Sequence, residues 1–333
     1  MPRFEQGEKS RREFLQELSL LGSGALLLEA GTAVQAADVV PRDALPRRVL
    51  GKTKQEVTAL ALGTWPCGRC ETVDTPAVMA IVNEAVDLGI NFIDTAHNYG
   101  NGEEGIGKAL GKRRDQVFLT TKVWADDADE ARTSFEESLR ALRTDHVDLV
   151  YLHSMGNRDV KRATADDGAL TYLLRQKETG KTRFVGISGH SQVESFIPVI
   201  ETGQIDVVMM AMNFVDRYVY GFEEKVLPVA IKHNVGVACM KVFGGIRGGF
   251  GVAGGPNPGP QLDQRWLEQA IRYAMGLPGV ATLVIGPHTV DQLRQNVQMV
   301  RNYRPLSDEQ QAALAKLGQQ LAGQWGEHYG PVA

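Results

Sequence analysis

Four side chains carry the chemistry for which this chain can be read: Asp94, Tyr99, Lys122 and His153. The stretch DTAHNYG (94–100) places an aspartate and a tyrosine directly after the apolar run INFI. TTKVW (120–124) carries Lys122, and DLVYLH (148–153) ends on His153. Tyrosine is a weak acid with a pKa near 10. A nearby ammonium stabilises tyrosinate and lowers that pKa, and Lys122 can supply the charge. A buried lysine needs a partner, and Asp94 can be it. A neutral His153 can hydrogen-bond a substrate oxygen. Together the four read as a tuned proton donor facing a carbonyl oxygen. Protonation helps only if something attacks the carbon, and none of the four is placed as a nucleophile. A bound hydride donor would complete the reaction, nicotinamide being the usual one.

These residues can meet only if the fold brings strand ends together. Short apolar runs occupy 59–64, 90–95, 117–124, 147–153, 184–188, 205–213, 235–241 and 281–286. Most are nearly continuous in apolar residues, as buried parallel strands are. The intervening segments carry helix signals. Thr75-Pro76 opens one helix, which Gly89 closes. Phe135, Leu139 and Leu142 form one apolar stripe, and Leu170, Leu173 and Leu174 line another, ended by Gly180. Ser191 with Glu194, Thr289 with Gln292, and Ser307 with Gln310 have capping-box spacing. The alternation predicts a single-domain α/β fold, a (β/α)8 TIM barrel, with an open doubly wound sheet as the alternative. RVLGKTKQEVTAL (48–60) predicts a hairpin across the barrel bottom. In a barrel, chemistry gathers at the C-terminal strand ends, and neighbouring strands 2, 3 and 4 would deliver the four residues together.

DTAHNYGNGEEGIGKAL, TTKVW, DLVYLH and GISGH, in this order, resemble the aldo-keto reductase family, over about residues 47 to 305. The resemblance implies reduction of aldehydes or ketones with NADP(H) or NAD(H). It makes Tyr99 the general acid, tuned by Lys122 and Asp94, with His153 orienting the carbonyl. It places Trp65 and Trp124 on the substrate pocket, and Gly63, Thr64, Ser188, Asn213, Met240, Arg247 and Asn296 at the cofactor. This chain departs from the family pattern at Gly189 (usually asparagine), Met209 (commonly glutamine) and Met240 (often an aromatic ring). Gly286 and Gln292 stand where many members carry a basic 2′-phosphate clamp, leaving Arg247 or Arg294 as substitutes. Two other readings stay open: a nucleotide-binding sensor or partner subunit on the same barrel with little turnover, and a Schiff-base lyase using Lys241.

The chain has 333 residues, 43% hydrophobic and 23% charged, with a net charge of −4. That balance fits a soluble globular protein and lacks the basic footprint of a nucleic-acid binder. No apolar run reaches the roughly 18 residues of a membrane span. The N-terminus reads as an export signal. Ser10, Arg11, Arg12, Phe14 and Leu15 resemble a twin-arginine motif, followed by LSLLGSGALLL and the small-residue end AVQAA. The expectation is a signal over 1–36, a linker over 37–46 and the barrel over 47–333. The partners would be the twin-arginine export machinery and a small-molecule carbonyl substrate. The destination would be the periplasm or another exported location, or the cytoplasm if the signal is not used, with no stable membrane span after cleavage. GFGVAG (249–254) matches a dinucleotide fingerprint but precedes GPNPGP, which cannot start a helix, so it reads as a loop over the mouth. Cys67 and Cys70 read as a surface thiol pair or a structural bridge, and Cys239 as core. No metal is expected. His97 reads as solvated or structural, and Met209, Met210 and Met212 as packing.

Overall fold

The computed structural model describes residues 44–70, 73–245 and 259–332. The signal over 1–36, most of the linker, Arg247 and the GFGVAG loop lie outside the described residues.

Two short strands come first, β1 (Arg47–Val49) and β2 (Glu56–Thr58), paired antiparallel as Arg47↔Thr58 and Val49↔Glu56. Eight parallel strands follow: β3 (Leu60–Gly63), β4 (Phe92–Asp94), β5 (Phe118–Val123), β6 (Val147–Leu152), β7 (Thr182–Gly189), β8 (Val207–Ala211), β9 (Gly236–Met240) and β10 (Val280–Ile285). They pair in chain order and close, because β10 pairs with β3 through Leu283↔Leu60 and with β9 through Val284↔Met240. Closure excludes the open-sheet alternative and leaves no free edge in the barrel. Each of the eight predicted runs coincides with one strand, although β7 extends past its run at both ends and β10 starts one residue earlier.

The hairpin covers the N-terminal end of the barrel, as expected. Arg48 Nη1 donates to the Met275 and Val280 carbonyls at 3.0 and 2.7 Å, tying β1 to the start of β10. Leu50, fully buried, plugs the bottom and joins an interior layer with Val57, Phe92, Phe118, Leu149 and Tyr151.

Strand side chains alternate between faces, and this parity sets the site. Phe92 and Phe118 point into the barrel, their rings stacked 5.2 Å apart. Two residues further along each strand, the same face carries Asp94 and Thr120, which are register partners. One more step gives Lys122. On β6 the inward series runs Leu149, Tyr151 and, just past the strand, His153. The interior thus changes from apolar to ionisable toward the C-terminal mouth. Met209 belongs to the interior layer, whereas Met210 and Met212 pack outside against the helices, confirming packing roles on alternate faces.

Helix boundaries follow local chemistry. Asp74 caps Thr75–Asp87 by accepting from Ala77 N at 2.9 Å, and Gly89 turns the chain at φ +88°. Ser307 and Gln310 form a complete capping box at the start of Asp308–Trp325. Thr289 caps Gln292 N, but the Gln292 side chain accepts from His288 N instead of closing the box. The box expected at Ser191 does not form. Gln192 turns left-handed (φ +47°), and the Gln192 and Val193 N–H groups donate to Pro331 and Val332 carbonyls at 2.9 and 3.1 Å. Glu194, whose side chain a box would turn back to Ser191, accepts instead from Lys225 Nζ at 3.2 Å. Among the described residues, no helix is long and apolar enough to cross a membrane.

Candidate active site

Lys122 is buried at the centre of the mouth. Its Nζ donates to Asp94 Oδ2 at 2.6 Å, to the Thr95 carbonyl at 2.7 Å and to Tyr99 Oη at 3.3 Å. An ammonium has three donors, and these three acceptors use them all. Asp94, 2% exposed, also accepts from Thr120 Oγ1 at 2.8 Å. Burial works against the Lys122 charge, yet Asp94 and Tyr99 together hold the ammonium above its ordinary range. Such a pair persists because each charge is matched and hydrogen-bonded.

Tyr99 sits on the turn after β4. That turn is gripped by the helix Trp65–Arg69: Asn101 N donates to the Gly68 carbonyl at 3.1 Å, and Arg69 Nη1 to the Asn98 carbonyl at 2.7 Å. Glycine at position 68 is required by close approach, since a Cβ there would run into the Tyr99 carbonyl oxygen. One expectation is corrected. Burial raises the Tyr99 pKa, and the opposing pull of Lys122 does not bring it below the ordinary value. The phenol stays protonated at neutral pH, the state a proton donor needs.

His153 stands edge-on to Tyr99, ring centroids 5.8 Å apart, and to Trp124 at 5.4 Å. Burial first, then the charge of Lys122, pushes its pKa well below the ordinary value, so the ring is neutral. Its Nδ1 is buried with no hydrogen-bond partner among the described residues. Trp65 and Trp124 are half-buried at the mouth, each beside a cation: Lys241 Nζ lies 4.9 Å from the Trp65 ring and Arg158 Cζ 4.0 Å from that of Trp124. The structure therefore gathers Asp94, Tyr99, Lys122 and His153 into one cluster, with Trp124 in ring contact.

The residues implied at the cofactor separate into two groups. Ser188 lies on the inward face of β7, accepts weakly from Ser154 N at 3.4 Å, and keeps its own proton to donate. Met240 is in the interior layer at the end of β9, and its thioether can pack against a ring. Asn296 is 6% exposed, yet its amide makes no hydrogen bond among the described residues. Gly63 ends β3, and Thr64 after it is fully buried with its hydroxyl donating to the Asp94 carbonyl at 3.1 Å, so that proton is not available to a ligand. The Ser188 hydroxyl, the Met240 thioether and the Asn296 amide are groups that would suit a nicotinamide nucleotide. Asn213 would not. It is fully buried: Nδ2 donates to Asp216 Oδ2 and the Lys241 carbonyl, and Oδ1 accepts from the Val215 and Asp216 N–H groups. A carboxamide has two donors and two lone pairs, so nothing remains for a ligand. Arg294 is likewise committed, to Glu84 at 2.7 Å and Asp291 at 3.6 Å.

Other expectations resolve by position. The His97 ring points away, 3.3 Å from Glu137 and 3.9 Å from Glu103, in a structural role. Cys67 and Cys70 are free thiols, and Cys67 is buried rather than on the surface, its pKa pushed up to about 12 by burial. Cys239 is core, and no metal-ligating cluster occurs among the described residues. Lys241 is half-buried in left-handed backbone (φ +59°), its pKa lowered to about 7 by burial and by Lys122. Several site residues escaped the sequence reading. Thr120 and Thr95 hold the ion pair, and their signal is proximity to Lys122 and Asp94 in strand register. Tyr329 reaches back from the C-terminus to lie 5.3 Å from His190, a contact without any local signal.

A closed eight-stranded barrel with an inward tyrosine, lysine and aspartate beside a neutral histidine defines a carbonyl oxidoreductase site. The chain belongs to the aldo/keto reductase family, whose model matches residues 59–257. It is 26% identical over 305 residues to the uncharacterised oxidoreductase YqkF of Bacillus subtilis, covering 80% of this chain and 95% of that protein. It is also 26% identical to L-galactose dehydrogenase of Arabidopsis thaliana, covering 79% and 91%. The holo form of the aldo-keto reductase AKR11C1 from Bacillus halodurans superimposes with a TM-score of 0.64 at 25% identity, over 82% of this chain and 96% of that one. This protein is an NAD(P)H-dependent oxidoreductase of that family.

Proposed function

We propose that the protein reduces an aldehyde or ketone with Tyr99 as the proton donor. The observation that carries this is the Lys122 ammonium donating to the Tyr99 phenol oxygen. Because Oη accepts that bond, its own proton is left to be given away. Nicotinamide, when bound, supplies hydride to the carbonyl carbon. As negative charge grows on the carbonyl oxygen, Tyr99 transfers its proton there. Lys122 stabilises the tyrosinate left behind, and Asp94 keeps Lys122 charged and in position. Neutral His153 holds the carbonyl oxygen toward Tyr99, while Trp65 and Trp124 wall the mouth against water. Ser188, Met240 and Asn296 are the residues that would hold the nucleotide. The name of the Arabidopsis relative, L-galactose dehydrogenase, supports a small polar carbonyl compound as substrate. Loss of NADPH or NADH absorbance with a panel of aldehydes and ketones, compared between wild type and Tyr99→Phe, tests the assignment.

Export through the twin-arginine route is part of the same proposal. It is supported by Ser10-Arg11-Arg12 and Phe14-Leu15 ahead of a mildly apolar stretch. The route carries folded proteins, so a nucleotide bound before export could travel inside. Replacing Arg11 and Arg12 by lysine should leave the protein in the cytoplasmic fraction, and unchanged export would refute the route. A second reading rests on Lys241, whose pKa near 7 leaves free amine at neutral pH beside Trp65. Borohydride trapping of a carbonyl compound on Lys241 would support a Schiff-base activity.

A further inference from the structure

Arg158 takes no part in proton donation, yet it is buried against the site. It follows the short turn Met155–Asn157 after His153, its N–H closing on the Met155 carbonyl at 3.1 Å. Its side chain is 7% exposed. The guanidinium covers one face of Trp124, and Trp124 in turn stands edge-on to His153. One partner is present: Nη1 lies 3.3 Å from Asp126 Oδ1, without the alignment of a hydrogen bond. Among the described residues Nε is buried with no hydrogen-bond partner, a state it shares with Nε of Arg114 and Arg301. What singles out Arg158 is that its unpaired donor belongs to a guanidinium packed on Trp124 beside His153, where a ligand group could satisfy it. The edge bearing Nε is also the one that can grip a carboxylate with two parallel bonds.

Three cationic side chains ring the site, of which Lys122 is matched by Asp94 and Arg158 is flanked by Asp126 and Glu130. Lys122, Arg158 and Lys241 all press on His153, and Lys241 stands over Trp65 at the mouth. The acids near the mouth are engaged: Asp94 by Lys122, Asp126 by Arg158, and Asp216 by Asn213. Glu130 adds a weaker negative charge on the Arg158 side.

We propose that Arg158 is a specificity residue that grips the carboxylate of an oxo-acid substrate, several carbons from the carbonyl held by Tyr99 and His153. This rests on the reductase reading and names its substrate class. An apolar stem between carboxylate and carbonyl would lie along Trp124, whose ring the guanidinium already orients.

The test separates binding from turnover. Tryptophan emission is titrated with hexanoate and with hexanamide, and rates are measured for 6-oxohexanoate and its methyl ester. Wild type should bind hexanoate at least tenfold more tightly than hexanamide and show at least a tenfold higher kcat/KM for the acid than for the ester, the difference lying in KM. Arg158→Gln should reduce both ratios to about one. Asp126→Asn should preserve them, since Asp126 is only a neighbour of the guanidinium. Equal binding of acid and amide by wild type would overturn the proposal. So would an Asp126→Asn variant that loses the preference as fully as Arg158→Gln, which marks a structural ion pair. Preferential carboxylate binding without reduction of any carbonyl would uphold the Arg158 site and sink the reductase reading. Reduction of the acid and ester at equal rates would do the reverse.

Discussion

The Lys122 ammonium donates to the Tyr99 phenol oxygen at 3.3 Å, so the phenol's own proton is not used in that bond. Lys122 is in turn held at 2.6 Å by Asp94, an ion pair within the barrel. The three groups act as one device, and the predictions follow from removing its parts singly.

Replacing Lys122 by methionine removes the charge that supports tyrosinate and strands Asp94 without its counter-ion. Breaking a buried pair from one side costs about 3–5 kcal/mol. The variant should melt well below wild type and lose kcat by a factor on the order of 10² or more. A stable variant with near-normal kcat would show that Lys122 is only a packing residue.

Thr120→Val keeps the shape of the side chain but deletes the 2.8 Å bond to Asp94. Stability should fall by about 1 kcal/mol, with kcat reduced several-fold as Asp94 loses its fixed orientation. Denaturant unfolding and steady-state rates, measured side by side, check both parts.

Gly68→Ala should damage activity from outside the cluster. The added methyl meets the Tyr99 carbonyl, so the turn carrying Tyr99 must move. A shift of this kind can cost about 10²-fold in rate. Unaltered kcat would mean that the turn adapts without displacing the phenol.

Asp216 is buried, and burial raises its pKa to about 7. Its unfolded value is near 4, so the folded state binds a proton more tightly. Stability from this group is complete below about pH 4 and is lost as pH rises through about 7. Asp216→Asn should therefore gain in melting temperature relative to wild type between pH 5 and pH 8. A difference independent of pH would show that Asp216 is already ionised at pH 5, held so by His328 and Lys241 nearby.

The parts legible in the sequence are those governed by period and strand ends. Eight apolar runs predict the barrel, and the residues at or near their C-terminal ends, Asp94, Lys122 and His153, are brought together by parity on neighbouring strands. Four features depended on contacts that no local pattern encodes. The direction of the Tyr99 pKa is a balance between burial and Lys122. Asn213 sits at a strand end like the others, but its amide is consumed by a turn that forms around it. Ser191 has capping-box spacing, but the turn after it pairs with the C-terminal segment and Glu194 is drawn to Lys225. Arg158 lies in a loop with no periodic signal, and only its packing on Trp124 marks it.

The central claim is that Tyr99 donates the proton. The most direct measurement is kcat for Tyr99→Phe against wild type on one carbonyl substrate, with folding checked by circular dichroism. The account predicts a loss on the order of 10²–10⁴-fold, and a wild-type rate that stays level through neutral pH because burial keeps the phenol protonated. A folded Tyr99→Phe protein with kcat within threefold of wild type would contradict it.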